Sequence, residues 1–387
     1  MSKIISSKAD VLKSLYGQLK FSRIEKMMIV TGEEFGTDPS GAAEAVAREF
    51  EGRKIVVRSS SSAEDGMNSS NAGHFESILN VDSSDREKVK EAVRLVLESY
   101  KMDIDDISGE QVLLQTQADD IRCSGVIFSR ELKKNRPYYA ISYDEESTDA
   151  VTSGRGGKTV YILRNVEEKS LPDHWAALIK SMRELEGIFQ EYPIDVEFAV
   201  NSHNIVTIFQ VRPLAASIKA ARSSISDEEI FEAAKRAGQA YSSISDRLGD
   251  RNTILSDMAF WNPAEMIGEN PHPLDYSLYR EIITSSAWNQ GLSYIGYKEV
   301  DGDLMYKLGN KPYISLKKSF LGLMPDDVDD RLEKKLLEYY DQKLIADPAA
   351  HDKIEFEIAF SEYDFVTEDK LKELAGYGFD RSDIEDL

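Results

Sequence analysis

Alternating apolar and polar residues predict a β-hairpin near the middle of the chain. Residues 194–200 and 205–213 are rich in strand-forming residues, and the polar residues 201–204 between them are typical of a turn. Successive side chains of a strand point to opposite faces. Asp195 and Glu197 should therefore share one face, and the apolar residues between and after them should form the other.

The pairing of the two strands decides which residues meet these carboxylates. The predicted register places these residues opposite each other: Val200 with Ile205, Glu197 with Ile208, and Asp195 with Gln210. Gln210 and Arg212 would then lie on the carboxylate face. Carboxylate and amide oxygens are ligands that Mg²⁺ prefers, and a guanidinium can brace a polyphosphate. The alternative is an ordinary half-exposed hairpin with a salt bridge between Asp195 and Arg212.

The same patterns predict the remaining elements. Helices are predicted over residues 8–19, 84–100, 173–192, 227–248, 274–289 and 329–346, and strands over residues 55–58, 75–81, 112–117, 124–129, 138–142 and 159–163. This order indicates an α+β fold rather than regularly alternating parallel units. An Ala- and Ser-rich stretch places a domain boundary between a mixed domain, residues 1–215, and a mostly helical domain, residues 216–387.

Composition limits the classes of partner. The chain has 387 residues, of which 41% are hydrophobic and 30% charged, as is ordinary for a globular protein with a real core. Its formal net charge of -22 makes nucleic acid and anionic membranes unfavourable partners. We find no signal-peptide pattern and no membrane-spanning apolar run, which favours the cytoplasm. The single cysteine, Cys123, is expected to be a buried spectator.

A second candidate site begins where a predicted strand ends. Arg58 closes that strand, and the following residues 59–74 contain six serines and two glycines. The backbone N–H groups of such a loop can approach anion oxygens closely, and the arginine adds a fixed charge. A flexible linker is the alternative. A predicted strand at residues 75–81 follows directly, however, which favours a loop that covers a ligand.

These segments resemble the ATP-binding domain of the phosphoenolpyruvate synthase and pyruvate phosphate dikinase family. The resemblance rests on residues 57–81 (VRSS, AED, AG and LNV in order), on residues 195–213 (DxE, then QxRP), and on Lys8 as the family's N-terminal lysine. Two serines replace the glycines that usually precede this lysine. The resemblance implies an ATP-grasp fold for the first domain, with ATP and Mg²⁺ as ligands.

The resemblance also implies roles for individual residues. It places nucleotide-binding residues at Lys8, Arg58, Ser59, Gly73, Asp195, Glu197, Gln210 and Arg212. Among these, Glu197 and Gln210 would ligate Mg²⁺. Arg58 and Arg212 would act catalytically, because phosphoryl transfer depends on positioning and on stabilising the charge of the phosphates that are cleaved.

The second domain resembles the middle region of synthase-like proteins from surface-polysaccharide pathways, a group that includes L-glutamine kinase of capsular phosphoramidate biosynthesis and relatives with other small acceptors. The resemblance covers residues 257–280 and 351–357. The resemblance implies an acceptor pocket lined by Trp261, Asn262, Glu265 and Arg280. A substrate carboxylate would favour Arg280, and an ammonium group would favour Glu265. The alternative is structural: Asn262 caps a helix, and Glu265 pairs with Arg280 at the surface.

The resembled enzymes relay phosphate through a histidine on a separate swivelling domain, and none of the five histidines of this sequence fits that motif. A phosphohistidine domain is therefore an implied partner, in cis or in trans. The predicted function is the ATP- and acceptor-binding portion of a dikinase-type phosphotransferase, which cleaves ATP to AMP and phosphate and phosphorylates a small acceptor such as L-glutamine. The alternatives are a self-sufficient ATP-grasp ligase that releases ADP and a non-catalytic nucleotide-sensing module.

Overall fold

The computed structural model describes residues 7–61, 77–101, 104, 106–145, 157–190, 193–214, 225–250, 253–347, 350–351, 353, 365 and 367–387. The chain divides into two compact units, Met1–Phe231 and Glu232–Leu387. The boundary predicted at residues 215 and 216 lies outside the described residues, so it stays a prediction.

The first unit mixes strands and helices, which confirms the α+β class. Its strands are β1 (Ser22–Arg23), β2 (Met27–Thr31), β3 (Lys54–Ser60), β4 (Ser77–Asp82), β5 (Gln111–Thr116), β6 (Ile121–Phe128), β7 (Tyr138–Asp144), β8 (Lys158–Leu163), β9 (Ile194–Asn201) and β10 (Val206–Pro213). Its helices are α1 (Lys8–Leu15), α2 (Gly32–Thr37), α3 (Pro39–Phe50), α4 (Arg86–Tyr100) and α5 (Asp173–Ile188), and α6 (Asp227–Leu248) begins in its last residues.

The strands of the first unit form two sheets in the described part of the chain. The larger sheet has the order β1-β10-β9-β6-β7-β8, and the smaller has the order β2-β5-β3-β4. All pairs are antiparallel except β1 with β10. Helices α1 and α5 bury their apolar faces on the larger sheet, and α3 and α4 bury theirs on the smaller sheet. Each sheet thus has its own hydrophobic core.

Local capping chemistry explains where several helices begin. Asp85 accepts a hydrogen bond from the Lys88 backbone N–H and caps the start of α4. The prediction omitted α2 and α3, although both have capping signals. Thr31 and Glu34 form a reciprocal capping box at α2, and Asp38 caps α3 before Pro39.

The second unit is mostly helical, as predicted. Its helices are α7 (Pro263–Ile267), α8 (Pro273–Tyr279), α9 (Trp288–Ser293), α10 (Leu316–Gly322), α11 (Asp330–Ala346), α12 (Thr367–Leu374) and α13 (Arg381–Asp386). Strands β11 (Leu255–Ser256), β12 (Met305–Leu308) and β13 (Lys311–Ser315) form a sheet in the order β11-β13-β12. The single regular helix predicted over residues 274–289 is instead α8 and α9 joined by the π-helical segment Arg280–Ala287.

Candidate functional site

The predicted hairpin is formed by β9 and β10, but its predicted register is wrong. Val200 lies opposite Val206 instead of Ile205, and Ile208 lies opposite Phe198 instead of Glu197. The polar turn does not show which of two neighbouring apolar residues begins the pairing. Burial decides it, because Val206 is fully buried in the core and Ile205 remains 43% exposed.

A β-bulge at Phe209 sets the composition of the polar face. Beyond this unpaired residue, Gln210 lies opposite Glu197 and Arg212 lies opposite Asp195. In a regular strand Gln210 would point the same way as Ile208, because residues two apart share a face, and Ile208 lies in the core. The four polar residues therefore share a face because of the bulge, not because of simple alternation.

Arg58, in β3 of the smaller sheet, contacts this face of the hairpin. Its Nη2 donates a hydrogen bond to Glu197 Oε2 at 2.8 Å, and its Nη1 donates to the Phe209 carbonyl oxygen at 3.2 Å. The side chains of Arg58 and Glu197 are each 16% exposed. This partly buried ion pair joins the two sheets of the first unit.

Asp195 and Arg212 form a second ion pair on the same face. Arg212 Nε and Nη2 donate to Asp195 Oδ1 and Oδ2 at 3.1 and 2.8 Å. The Asp195 side chain is 7% exposed and the Arg212 side chain 24%. The salt bridge of the alternative interpretation is therefore present. This bidentate contact also holds the guanidinium of Arg212 in one orientation.

The beginning of α1 brings a third cation, Lys8, close to Glu197. Ser7 caps the helix and donates a hydrogen bond to Gln111 Oε1 at 2.6 Å, while the Ala9 backbone N–H donates to Ser60 Oγ at 2.8 Å. These bonds tie α1 to the ends of β3 and β5. Lys8 is buried in this position.

The three cations control the ionisation of Glu197. Burial alone would raise the pKa of Glu197, but the positive charges of Arg58, Lys8 and Arg212 outweigh it, and the pKa lies below its ordinary value of 4.5. Burial raises the pKa of Asp195 above its ordinary value, against the opposing influence of Arg212. Glu197 is therefore ionised at neutral pH, and its charge is compensated.

The cluster is locally basic although the chain is strongly acidic. The three cations Lys8, Arg58 and Arg212 and the two carboxylates Asp195 and Glu197 together give the cluster a net charge of +1. Gln210 is buried on the same face, and Ser59 is buried beside Arg58 at the end of β3. Gly73 lies outside the described residues. Such a cluster can bind an anion that has several oxygen atoms.

Two contributors to this site carried no functional signal in the sequence. Phe209 supplies a backbone carbonyl, and a bulge cannot be read from side-chain type. Tyr100, the last residue of α4, accepts a hydrogen bond at its hydroxyl from the Ser60 backbone N–H at 2.7 Å and donates one to the Gln111 carbonyl oxygen at 2.7 Å. Its position at the end of an amphipathic helix predicted burial but not this role.

Three of the four acceptor candidates, Trp261, Asn262 and Arg280, have separate contacts in the second unit. Asn262 accepts a hydrogen bond from the Ala264 backbone N–H at 2.9 Å and caps α7, as in the structural alternative. The alternative pair between Glu265 and Arg280 is not formed. Arg280 instead pairs with Asp303 at 3.0 Å. The ring of Trp261 packs against that of Trp288 with their centroids 4.4 Å apart.

Neither a ready-made metal cluster nor a membrane-spanning helix occurs in the described residues. They contain no group of three or more His, Cys, Asp or Glu side chains arranged to hold a metal ion. Within the same ranges, we find no helix that is both long and apolar enough to cross a bilayer.

A comparison with protein families bears on the smaller sheet. Residues 33–103 match the family described as pyruvate phosphate dikinase, AMP/ATP-binding domain. The matched segment contains β3, with Arg58, and the helices α3 and α4 that cover its sheet. It supports nucleotide binding for this part of the chain. The hairpin lies outside the match.

Solved structures resemble the chain weakly. The protein PH1788 from Pyrococcus horikoshii has 15% identity and a TM-score of 0.35, over 53% of this chain and 88% of its own. The D-Alanine-D-Alanine ligase from Helicobacter pylori has 13% identity and a TM-score of 0.33, over 57% and 58%. The dinucleotide forming acetyl-coenzyme A synthetase 1 of Ca. Korarchaeum cryptofilum has 16% identity and a TM-score of 0.33, over 54% and 93%. No curated protein has a significantly matching sequence.

Proposed function

We propose that the first unit is an ATP-grasp nucleotide-binding domain of the dikinase type and that it binds ATP together with Mg²⁺. The ion pair between Arg58 and Glu197 is the observation that carries this proposal. It connects β3, inside the segment that matches the AMP/ATP-binding family, to a hairpin that lies outside that segment. Two regions that the resemblance assigned to one ligand thus touch each other.

The proposed roles follow from charge and donor type. Lys8 and Arg58, with Ser59 near the end of β3 and Gly73, would bind phosphate oxygens. Arg212, held by Asp195, would stabilise charge on the phosphates that are cleaved. Phosphate oxygens would compete with the Glu197 carboxylate for Arg58. When phosphate binds Arg58, the Glu197 carboxylate would be released from its ion pair.

Magnesium suits the remaining donors. Glu197 and Gln210 offer a carboxylate and an amide oxygen, which are hard ligands of the type that Mg²⁺ selects, and phosphate oxygens and water would complete its coordination. The ion would neutralise charge on the polyphosphate.

The overall reaction that we propose is dikinase-type phosphoryl transfer. ATP would be cleaved to AMP and phosphate, and a small acceptor such as L-glutamine would be phosphorylated in the cytoplasm, with a phosphohistidine domain acting in cis or in trans. The second unit would bind the acceptor, with Trp261, Asn262, Glu265 and Arg280 as candidate contacts. A ligase that releases ADP and a nucleotide sensor without turnover are the competing functions.

Calorimetric titration with Mg·ATP tests nucleotide binding directly. We expect saturable binding that needs magnesium, and at least about tenfold weaker binding in Arg58→Ala, because a charge-assisted hydrogen bond is lost. Arg86→Ala is the matched control, since Arg86 forms an exposed ion pair with Glu44 elsewhere in the same unit. Absence of ATP binding, or equal affinity of the Arg58→Ala variant, would refute the proposal.

Product analysis distinguishes the competing functions. The chain, supplied with L-glutamine and a phosphohistidine domain, should release AMP. Release of ADP without that domain would favour the ligase. Tight nucleotide binding with no turnover under any of these conditions would favour the sensor.

A further inference from the structure

A cleft in the second unit contains cations that the proposed nucleotide site does not use. It has a volume of about 290 Å³ and is lined by residues of α6, α8 and β12. Its charged and aromatic lining consists of Arg247, Arg280, Asp303, Lys307, Tyr276 and Tyr306. Pockets for drug-sized ligands measure roughly 300–1,000 Å³, so this cleft suits a small molecule.

Two of these three cations have no carboxylate partner among the described residues. Arg280 is paired with Asp303 at 3.0 Å. Within the described part of the chain, Arg247 and Lys307 form no ion pair. The guanidinium carbon of Arg247 lies 5.8 Å from the centre of the Tyr306 ring, and Lys307 Nζ lies 5.0 Å from that of Tyr276. Two uncompensated cations at one cleft are unexpected in a chain of net charge -22.

The backbone at the cleft is also unusual. Arg280 is the first residue of the π-helical segment that separates α8 from α9. π-Helical turns are rare, and many of those known occur at functional sites. Two buried apolar residues, Ile244 of α6 and Met305 of β12, also line the cleft.

We propose that this cleft binds a small organic dianion, namely a phosphate monoester or a dicarboxylate. Arg247 and Lys307 would compensate its two negative charges, because each is held over an aromatic ring and has no carboxylate partner among the described residues. The carbon skeleton would lie on Ile244 and Met305. This proposal does not depend on the proposed nucleotide site.

Titration calorimetry on the full chain tests the proposal, with glycerol 3-phosphate and succinate as probes at constant ionic strength. We expect saturable binding of at least one probe, and the tighter probe identifies the class. The double variant Arg247→Gln, Lys307→Gln should bind at least about tenfold more weakly. Arg236→Gln is the matched control, because Arg236 is an exposed arginine of the same helix, α6, that does not line the cleft.

Three outcomes would overturn the proposal: neither probe binds, the double variant keeps full affinity, or Arg58→Ala abolishes binding while the double variant keeps it. The last result would place the probe at the nucleotide site. Charge-retaining Arg247→Lys and Lys307→Arg variants, which should keep most of the affinity, separate loss of charge from disturbed folding. ATP binding is measured separately, so failure of the nucleotide proposal would leave this test intact.

Discussion

Breaking the ion pair between Arg58 and Glu197 should lower the free energy of unfolding of the first unit. The burial of the two side chains predicts the size of this loss. Exposed ion pairs contribute about 0–1 kcal/mol, whereas removing one partner of a fully buried pair costs about 3–5 kcal/mol. With both side chains 16% exposed and a 2.8 Å contact, the pair lies between these limits. We expect Arg58→Met to lower the free energy of unfolding by about 2–3 kcal/mol and Glu197→Gln by about 1–2 kcal/mol.

A double-mutant cycle isolates the interaction itself. The double variant should lose less than the sum of the single variants, which gives a coupling energy of about 1–2 kcal/mol at pH 7. Arg86 and Glu44 provide the control cycle, since their contact of 3.2 Å joins side chains that are 58% and 63% exposed. Their coupling should stay below about 0.5 kcal/mol.

The assay must report on the first unit alone, because a chain of two units need not unfold in one step. Trp175 is buried in the first unit, and the other two tryptophans, Trp261 and Trp288, lie in the second. Urea unfolding of a Trp261→Phe, Trp288→Phe background, followed by Trp175 fluorescence, supplies the required free energies.

The pH dependence of the coupling has a definite sign. The pKa of Glu197 is lowered in the folded state, so the pair stabilises the fold fully above the ordinary carboxyl value of 4.5 and less as pH falls through the folded value. A coupling near zero at pH 7, or one that grows on acidification, would refute this reasoning.

Three further predictions concern other parts of the molecule. Burial raises the pKa of the Cys123 thiol to about 11, so thiol reagents should label the native chain very slowly at pH 8, and rapid labelling would contradict its buried position. Gly125→Ala should lower the unfolding free energy of the first unit by at least about 1–3 kcal/mol, because a Cβ would meet the Ser142 carbonyl oxygen at 2.0 Å. Gly187→Ala, with no atom within 4 Å, is its control, and equal stability of the two variants would contradict the crowding. Hydrogen bonds, of which the one from Lys335 has the largest effect, lower the pKa of Asp383 from 3.8 to about 2. The ionised Asp383 should therefore stabilise the second unit fully above pH 3.8, and this stabilisation should be lost as pH falls through 2. The Asp383→Asn variant should lose this acid dependence of the unfolding free energy, measured by Trp261 and Trp288 fluorescence. A variant with the same acid dependence as the unsubstituted chain would contradict the prediction.

The amino-acid sequence alone determined those features that depend on near neighbours. Alternation over residues 194–213 predicted the hairpin, and helical spacing predicted α4, α5, α6 and α11. Capping side chains placed the start of α4 because an N-cap acts within a few residues of itself. The residue types of the hairpin also predicted an anion- and metal-binding chemistry, which stays a prediction.

Only the tertiary structure decided the arrangement of the candidate site. The register of β9 and β10, and the bulge at Phe209, follow from burial of apolar side chains in the sheet core, which local alternation does not contain. The meeting of Arg58 with Glu197 joins residues 139 positions apart in two different sheets. Arg280 likewise pairs with Asp303, which follows the π-helical segment and α9 in the chain. Packing of distant elements sets these contacts, so no short window of sequence could have predicted them.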